Sequence, residues 1–361
     1  MNASPRTPDL RVGLVGYGVA GAAFHAPLIT TTDGMVLDTV VTADPGRRAR
    51  VTRDHGARVR TVATAEELLA RADALDLVVI ASPNRTHVPL AEQALTAGLA
   101  VVVDKPLAAT AAEAEHLADL AEQRGLLLSP FQNRRWDSDF LTLRSLIADG
   151  RLGTVRRFES RFERWRPRPK GGWRESGDPA EIGGLLYDLG SHLVDQALAL
   201  FGPVRTVYAE ADVRRPGAEA DDDTFVALTH TGGVRSHLWM SATAAQLGPR
   251  FRVLGSTAAY VTHGLDPQEA DLRAGRTPRT TQPWGVEPEE AWGTLGDLET
   301  ARPVPSLPGD YPAYYRQIGQ ALRTSGAPPV TAREAAEALR VLEAARASAA
   351  SGTTVQLPGA A

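Results

Sequence analysis

The chain has 361 residues, of which 43% are hydrophobic and 23% are charged, and it contains no cysteine. This length and composition predict two globular domains. A chain without cysteine has neither disulfides nor thiolate metal sites, and this is compatible with a reducing cytoplasm. The net charge of −4 argues against nucleic-acid binding. The lack of a long apolar run argues against a membrane span and a signal peptide.

In the first part of the chain, a polar tail over residues 1–9 precedes short apolar runs that alternate with helical patterns. The predicted strands cover residues 10–15, 35–42, 75–81, 100–103 and 126–128, and the predicted helices cover 18–29, 65–71, 88–97 and 111–124. Continuous apolar strands that alternate with helices are typical of a parallel sheet covered on both faces. An α/β domain is therefore expected over residues 10–130.

The second part of the chain, over residues 131–310, has mostly strand-like patterns with alternating polar and apolar residues. The predicted strands cover 155–162, 205–213, 224–230, 234–241, 250–254 and 258–263, and two predicted helices cover 139–148 and 185–201. Short turns between alternating strands indicate an antiparallel sheet and hence an α+β domain. Residues 276–308 are expected to form an extended loop, and two further helices are predicted at 313–323 and 332–348.

Three glycines, Gly16, Gly18 and Gly21, stand in a G-x-G-x-x-G pattern between the first strand and the first helix. In this context the first glycine allows a tight turn, the second lets the backbone approach a pyrophosphate, and the third permits close packing of helix and strand. The helix N-terminus adds free N–H groups for the phosphates. The pattern predicts a dinucleotide site, and a glycine-rich turn without a ligand is the alternative.

The choice between NAD and NADP depends on the end of the second strand, where an NAD site has an acidic residue for the ribose hydroxyls. Ala43 stands at that position, Asp44 is one residue later, and Arg47 and Arg48 follow. This arrangement favours NADP, with Arg47 as the ligand of its phosphate, although NAD is possible. A solvated helix start is the alternative role of the two arginines.

Further cofactor contacts are expected where the next predicted strand ends at residue 81, because ligands bind at the carboxyl ends of strands in open parallel sheets. Ser82 and Asn84 can hydrogen-bond to the cofactor. His87 is either another cofactor contact or a residue of the helix start.

Lysine is rare in this chain, since only Lys105 and Lys170 among 39 cationic residues are lysines. Where a positive charge alone is needed the chain has arginine, so a lysine indicates a task such as proton transfer. Lys105 follows Asp104 at the end of a predicted strand, and both are expected beside the nicotinamide. A surface ion pair between these two residues is the alternative.

Asp188, His192 and Asp195 are spaced i, i+4 and i+7 and therefore share one face of the predicted helix 185–201. A carboxylate one turn from a histidine can orient it as a general acid or base. A buried structural pair and a metal site are the alternatives. No other histidine has a supporting spacing and no cysteine exists, so no metal is predicted.

Three segments together resemble the Gfo/Idh/MocA oxidoreductase family over nearly the whole chain. They are GYGVAG at 16–21, Asp104-Lys105-Pro106, and the GG-x3-D-x3-H-x2-D helix that begins at Gly183. The family usually has Glu-Lys-Pro, so Asp104 is a departure that changes how the lysine is held. Four further segments look like the branch of NADP-dependent scyllo-inositol dehydrogenases: FHAP at 24–27, FQNRRWDSDF at 131–140, YDLGSHLVDQA at 187–197 and HGLDPQE at 263–269.

The resemblance implies a Rossmann domain followed by a large, mostly antiparallel open sheet, with C-terminal helices over 311–361 that pack back on the first domain. It places Lys105, Asp188 and His192 at the family's catalytic positions. The implied reaction oxidises a secondary alcohol of a cyclic polyol or sugar by hydride transfer to a nicotinamide, with Lys105 or His192 as the base. Another sugar, a sugar-nucleotide or a dihydrodiol as substrate, and a non-catalytic nucleotide-binding sensor, are the alternatives.

Substrate contacts are expected from two segments. Asn133 and Arg134 follow the last strand of the first domain and are candidate wall residues. Trp173 and Arg174 end the basic segment 161–174, just before the predicted catalytic helix. Such a stretch is often a lid or binding loop, and a solvated basic loop is the alternative.

The open sheet that the resemblance implies needs a cover on its second face. The alternation over the strands 224–241 predicts that Phe225, Ala227, Leu238 and Met240 lie on that face. A homodimer or homotetramer is therefore expected, and no nucleic-acid or membrane partner.

Overall fold

The fold is known from a computed structural model that describes residues 8–178 and 181–358. Two β-sheets organise it. The first is built from residues 10–131 and the second from residues 157–356.

The first sheet is parallel. Its strands are β1 Leu10–Val15, β2 Met35–Val41, β3 Arg60–Val62, β4 Leu77–Ile80, β5 Ala100–Asp104 and β6 Leu128–Phe131. Within the described residues these six strands have the order β3-β2-β1-β4-β5-β6. β4 and β5 are buried along nearly all their length because helices cover both faces, so the predicted parallel sheet is confirmed. β3 is not predicted, since so short a strand gives no apolar run.

Helices connect these strands. α1 Ala26–Thr31 continues from a π-helical turn at Ala20–His25, and the next helices are α2 Pro45–His55, α3 Ala65–Leu69, α4 His87–Thr96 and α5 Ala111–Arg124. α2 is not predicted because it is rich in arginine and buries only Val51 among its residues, which are all described. α5 begins at a capping box of Thr110 and Glu113 and ends at Gly125 in the left-handed conformation.

The second sheet is open and mostly antiparallel, as expected. Its strands are β7 Arg157–Glu163, β8 Val204–Asp212, β9 Asp223–His230, β10 Arg235–Ser241, β11 Phe251–Leu254, β12 Ala259–Thr262, β13 Thr294–Gly296, β14 Arg302–Pro303 and β15 Val355–Gln356. In the described part of the chain their order is β14-β13-β12-β11-β7-β10-β9-β8-β15, and only β7 and β10 pair in parallel. The expected extended loop over 276–308 is interrupted by two short strands with few apolar residues, β14 at the edge of the sheet and β13 beside it.

The predicted helix 185–201 is interrupted. α7 Leu185–Asp188 and α8 Gly190–Phe201 are separated at Leu189. The Asp188 carbonyl accepts a hydrogen bond of 2.5 Å from Lys105 Nζ, whereas the His192 N–H donates to the Leu189 carbonyl at 3.1 Å. A residue of the first sheet thus occupies a carbonyl that a continuous helix would use internally.

Four helices remain in the described ranges, of which only α6 lies in the chain between the two sheets. They are α6 Ser138–Ala148, α9 Gln268–Arg273, α10 Pro312–Thr324 and α11 Ala332–Ser351. α10 packs on α1, as the resemblance implies, but α11 lies between α5 and β8 and also packs on α8. The C-terminal helices therefore contact both parts of the molecule. None of the helices in the described residues is both long and apolar enough to cross a membrane.

The outer face of the second sheet carries alternate residues of its central strands. Phe225 and Ala227 are half-buried on this face, and Trp239 joins them from β10. The placement of Leu238 and Met240 on this face is wrong, since both are fully buried on the inner face under the helices. Odd-numbered residues of β10 point outwards, and the alternation alone does not tell which set meets the helices.

Candidate active site

The glycine loop after β1 has the geometry that a dinucleotide requires. Gly16 has a φ of +97°, and a Cβ there would lie 2.6 Å from the Ala81 carbonyl oxygen. A Cβ on Gly21 would lie 2.1 Å from the Gly16 carbonyl oxygen, whereas one on Gly18 would meet nothing within 4 Å. Close packing of the backbone therefore requires glycine at 16 and 21. The open space at Gly18 fits a pyrophosphate.

The charged residues after β2 differ in what they contact. Asp44 Oδ1 accepts a hydrogen bond of 2.7 Å from the Arg47 backbone and caps α2. Arg48 Nε donates to the Thr42 carbonyl at 2.9 Å. The Arg47 side chain is exposed, and the described residues offer it neither a hydrogen bond nor an ion pair. This geometry favours Arg47 over Arg48 as a phosphate ligand, while Ala43 beside them is exposed.

His87 joins the loops that follow β4 and β5. Its ring is 1% exposed, with Nδ1 2.8 Å from the Pro106 carbonyl and Nε2 3.0 Å from the Ser82 carbonyl. Burial lowers the pKa of the imidazole. These contacts favour a positioning role, and a cofactor contact of His87 stays a prediction. Ser82 Oγ lies 2.6 Å from the hydroxyl of Thr86, and Asn84 is buried at the start of the same turn.

Lys105 and Asp188 meet between the two sheets. Lys105 Nζ donates to the Asp188 carbonyl at 2.5 Å and to its Oδ1 at 3.1 Å. Arg174 Nε lies 3.5 Å from the same carboxylate, and Arg164 Nη2 lies 3.7 Å from it. Burial would raise the pKa of Asp188, but Lys105 and the two arginines outweigh it, so the pKa lies below its usual value. Asp188 is therefore an anion at neutral pH.

A small cleft contains this pair. It is lined by Asn84, Lys105, Pro106, Arg174, Ile182 and Asp188. The structure thus brings a predicted cofactor contact, two predicted catalytic residues and a predicted substrate residue to one place. Polar side chains that converge in a cleft are the usual features of a ligand site.

His192 is oriented by an amide rather than by the carboxylate that the helical spacing suggests. Its Nδ1 lies 3.1 Å from Gln132 Oε1, while Asp188 is bound to Lys105. The ring is 6% exposed, and burial, followed by the positive charge of Lys105 and of Arg134 and Arg250, holds its pKa well below 6.5. Gln132 was not predicted as a site residue. The one indication in the sequence is that it directly follows β6, at the carboxyl edge of the first sheet.

Asp195 has a structural partner of its own. Its two carboxylate oxygens accept hydrogen bonds from Arg135 at 2.7 and 2.8 Å, and Arg135 also pairs with Glu334. Asp188, His192 and Asp195 share one helix face, but each contacts a different partner. The described residues contain no group of three or more His, Asp or Glu side chains that could hold a metal ion.

The predicted substrate residues fall into two groups. Arg134 is buried, pairs with Asp137 at 3.2 Å and with Glu269, and packs on the Phe162 ring. Asn133 beside it is also buried. Arg174 lines the cleft, and Trp173 begins the same 3₁₀ turn. Arg174 thus lies at the predicted site, whereas contacts of Asn133, Arg134 and Trp173 with substrate stay predictions.

A buried chain of contacts, which the sequence does not predict, lies behind Lys105. Asp104 Oδ1 accepts a hydrogen bond of 2.9 Å from the Lys105 backbone and lies 3.9 Å from His25 Nε2. His25 Nδ1 lies 2.6 Å from the Tyr315 hydroxyl on α10. Burial would raise the pKa of Asp104, but His25 and Lys105 lower it. These residues are far apart in the chain, so no local pattern indicates the contact.

Comparisons with known proteins cover both sheets. Residues 10–132 match the GFO_IDH_MocA profile described as an oxidoreductase family NAD-binding Rossmann fold. Residues 144–357 match the profile described as the C-terminal alpha/beta domain of the same oxidoreductase family.

Individual relatives are similar over nearly their whole length. The chain is 42% identical to the oxidoreductase YdgJ of Escherichia coli (strain K12), over 93% of this chain and 95% of that one. It is 36% identical to scyllo-inositol 2-dehydrogenase (NADP(+)) IolW of Bacillus subtilis (strain 168), over 98% and 97%. Among solved structures, the oxidoreductase yvaA from Bacillus subtilis superposes with a TM-score of 0.91 at 35% identity, covering 98% of this chain and 99% of that one.

Proposed function

This chain belongs to the Gfo/Idh/MocA family and is an NAD(P)-dependent oxidoreductase, and we propose that it oxidises a secondary alcohol of a cyclic polyol or sugar. The observation that carries the proposal is the convergence of Lys105 and Asp188 in one cleft beside His192. The similarity to a scyllo-inositol 2-dehydrogenase supports an inositol-like substrate.

The cofactor would bind at the carboxyl edge of the first sheet. Gly16, Gly18 and Gly21 would hold the pyrophosphate, and Asn84 and Lys105 would lie toward the reactive end. Once bound, the nicotinamide supplies the hydride acceptor. The chain's own residues then have to orient the alcohol, remove its proton and stabilise the charge on its oxygen.

His192 is the proposed base. Gln132 Nε2 donates to the Ser191 carbonyl at 3.4 Å, so its Oε1 faces the His192 ring and accepts from Nδ1. Nε2 of the neutral imidazole then keeps its lone pair. Because the pKa of His192 is well below 6.5, the ring is neutral at pH 7 and can accept the hydroxyl proton.

Lys105 is proposed to hold the oxygen of the alcohol. An ammonium has three N–H donors, and Lys105 uses two of them on Asp188. The third can donate to the substrate oxygen as negative charge develops on it. The O–H proton would pass to His192 as the C=O bond forms, and the bound nicotinamide would take up the hydride from the C–H bond.

A screen for cofactor reduction tests the proposed function. The purified protein is mixed with NADP or NAD and with inositols, aldoses and linear polyols, and the absorbance of the reduced cofactor is followed. We expect turnover with at least one inositol or aldose. Turnover with linear polyols alone, or with none of these compounds and none of their carboxylate or phosphate derivatives, contradicts the proposal.

NADP is the proposed preferred cofactor, since Asp44 caps α2 and Arg47 is exposed without a partner in the described residues. Arg47→Ala should lower kcat/KM for NADP by about tenfold or more, because a hydrogen bond to a charged group contributes ~1.5–3 kcal/mol. The value for NAD should change little. Arg58→Ala, another exposed arginine, is the control. A wild-type preference for NAD contradicts this assignment.

A homodimer through the outer face of the second sheet is the proposed assembly. The rings of Phe225 and Trp239 lie 5.1 Å apart on this face, and the guanidinium of Arg161 lies 4.0 Å from the Trp239 ring. Such half-buried aromatic side chains are typical of an interface. Light scattering should give a dimer for the wild type and a monomer for Trp239→Glu, while Leu298→Glu, at an exposed turn, stays dimeric. A monomeric wild type at micromolar concentration removes this proposal.

A further inference from the structure

The cleft holds more positive than negative charge. In the described residues three cations surround the carboxylate of Asp188: Lys105 at 3.1 Å, Arg174 at 3.5 Å and Arg164 at 3.7 Å. The arginine distances are too long for strong hydrogen bonds. Glu269 also acts on Arg164, but so do the positive charges of Arg166 and Arg134, so positive charge exceeds negative charge around Arg164 and attracts a further anion.

Arg164 is the least satisfied of the three cations. Its side chain is only 23% exposed, and its buried Nε finds no acceptor among residues 8–178 and 181–358. Burial, followed by repulsion from Arg166, lowers the pKa of its guanidinium. A buried donor without an acceptor is costly, and an anion bound beside it would remove that cost.

The phosphates of the cofactor do not account for this excess charge. They would bind at the glycine loop after β1, whereas Lys105 ends β5, and β4 lies between these strands. Two strand spacings amount to roughly 10 Å. Arg164 follows β7 of the second sheet, and Arg174 precedes α7. Both arginines therefore belong to the substrate side of the cleft.

We propose that the substrate is an anionic polyol or sugar, whose carboxylate or phosphate binds Arg164 and Arg174 while the hydroxyl to be oxidised lies at Lys105 and His192. The planar guanidinium group binds both kinds of anion through paired hydrogen bonds. This inference rests on the proposed function for the reaction, and it adds the chemical class of the substrate.

Matched substrate pairs test the inference. The value of kcat/KM is measured for D-glucuronate against D-glucose, and for myo-inositol 1-phosphate against myo-inositol. We expect the anionic member to be preferred by about tenfold or more in at least one pair, on the scale of a charge-assisted hydrogen bond. The pair with the larger preference distinguishes a carboxylate from a phosphate. Preference for the neutral member in both pairs overturns the inference and leaves the proposed function intact.

Variants assign the preference to the two arginines. Arg164→Gln and Arg174→Gln should each lower the ratio of anionic to neutral kcat/KM by about tenfold. Arg174→Lys, which keeps the charge, should restore part of it. Arg168→Gln, an exposed arginine of the same segment, is the matched control and should leave the ratio unchanged. An unchanged ratio in both Arg→Gln variants also overturns the inference.

A binding measurement separates this inference from the proposed reaction. D-Glucuronate and myo-inositol 1-phosphate are titrated calorimetrically into the protein with NADPH. Binding that weakens in Arg164→Gln supports the inference even if no compound is oxidised, in which case the proposed function fails alone. If neither compound binds, the inference is wrong.

Discussion

Asp195 and Asp188 lie on one interrupted helix, and both form ion pairs, but the geometry of the two ion pairs differs. Asp195 is 2% exposed, and both of its oxygens are hydrogen-bonded to Arg135 at 2.7 and 2.8 Å. Asp188, seven residues earlier, lies near Lys105, Arg164 and Arg174 at distances of 3.1 to 3.7 Å. Both carboxylates thus bind cations, but of the two only Asp195 has both oxygens in short hydrogen bonds to one guanidinium.

The difference shows that a structural ion pair uses its hydrogen-bonding groups on its own partners, whereas a functional pair keeps a donor for a ligand. A bidentate arginine–carboxylate pair fixes the helix against the first part of the molecule and leaves no donor for a ligand. At Asp188, the third N–H of Lys105 and the excess positive charge remain available for a substrate. The five predictions that follow test this contrast through measurements of stability and of catalysis.

Removal of the Asp195 carboxylate should have the largest effect. Asp195→Ala leaves the largely buried Arg135 with Glu334 as its one ion-pair partner among the described residues, and we expect the free energy of unfolding to fall by about 3 kcal/mol. Denaturant unfolding followed by circular dichroism measures the change. Asp119→Ala, which removes part of an exposed pair with Arg333, is the control and should change stability little. An unchanged unfolding midpoint in Asp195→Ala would show that the buried pair is not structural.

Replacement of the lysine that pairs with Asp188 should affect turnover instead. Lys105→Arg keeps the charge but replaces the compact ammonium that donates to the substrate oxygen by a planar group, and we expect kcat to fall about 100-fold. NADP binding, measured by fluorescence titration, should persist because the glycine loop is distant. Lys170→Arg, the other lysine, is the matched control.

A double variant extends the same test. Lys105→Arg combined with His192→Ala should lose much less than the product of the two single effects, because residues that act as a unit are not additive. Near-normal turnover in Lys105→Arg would remove Lys105 from the proposed stabilisation of the substrate oxygen.

The pH dependence of His192 tests the electrostatic side of the contrast. A base works above its own pKa, and the pKa of His192 is well below 6.5, so kcat/KM should not decline between pH 8 and pH 6.5 through this group. In Lys105→Met the loss of the nearby positive charge should raise the pKa of His192 and move the acidic limb to higher pH. NMR titration of the imidazole measures this directly. A wild-type ring that becomes protonated above pH 6.5 is incompatible with the assignment.

The smallest effect is expected from a change in the contacts that link Tyr315 through His25 to Asp104, the residue before Lys105. Tyr315→Phe removes the hydroxyl that lies 2.6 Å from His25, which faces Asp104. We expect kcat to fall about 3-fold to 10-fold with KM little changed, on the scale of one hydrogen bond. Tyr314→Phe is the matched control, because the Tyr314 hydroxyl binds Ser129 instead. Equal effects of both substitutions would assign them to packing rather than to Lys105.

Features that depend on neighbouring residues could be predicted from the chain. The apolar strands and the G-x-G-x-x-G pattern specify the parallel sheet and its loop, because Gly16 has a positive φ and Gly21 packs against the Gly16 carbonyl within the same turn. α2 could not be predicted in this way. It buries only Val51 among its described residues and has no apolar stripe, so its cap at Asp44 is its main local signal.

Features that depend on distant contacts could not be predicted. The helix at Asp188 is interrupted because its carbonyl binds Lys105, a residue 83 positions away. His192 is oriented by Gln132, 60 positions away, rather than by the carboxylate one turn before it. Leu238 lies on the inner face, since the position of the helices, and not the alternation, selects the buried side.

The sequence by itself determined which chemical groups are present and roughly where each stands, because strands, glycine turns and the scarcity of lysine are properties of short segments. Only the tertiary structure decided which groups meet. Asp188 and Asp195 are equivalent as helix positions, yet one pairs with Arg135 and the other with Lys105, Arg164 and Arg174. The charge around a carboxylate depends on every element packed against it, and elements far apart in the chain supply that charge.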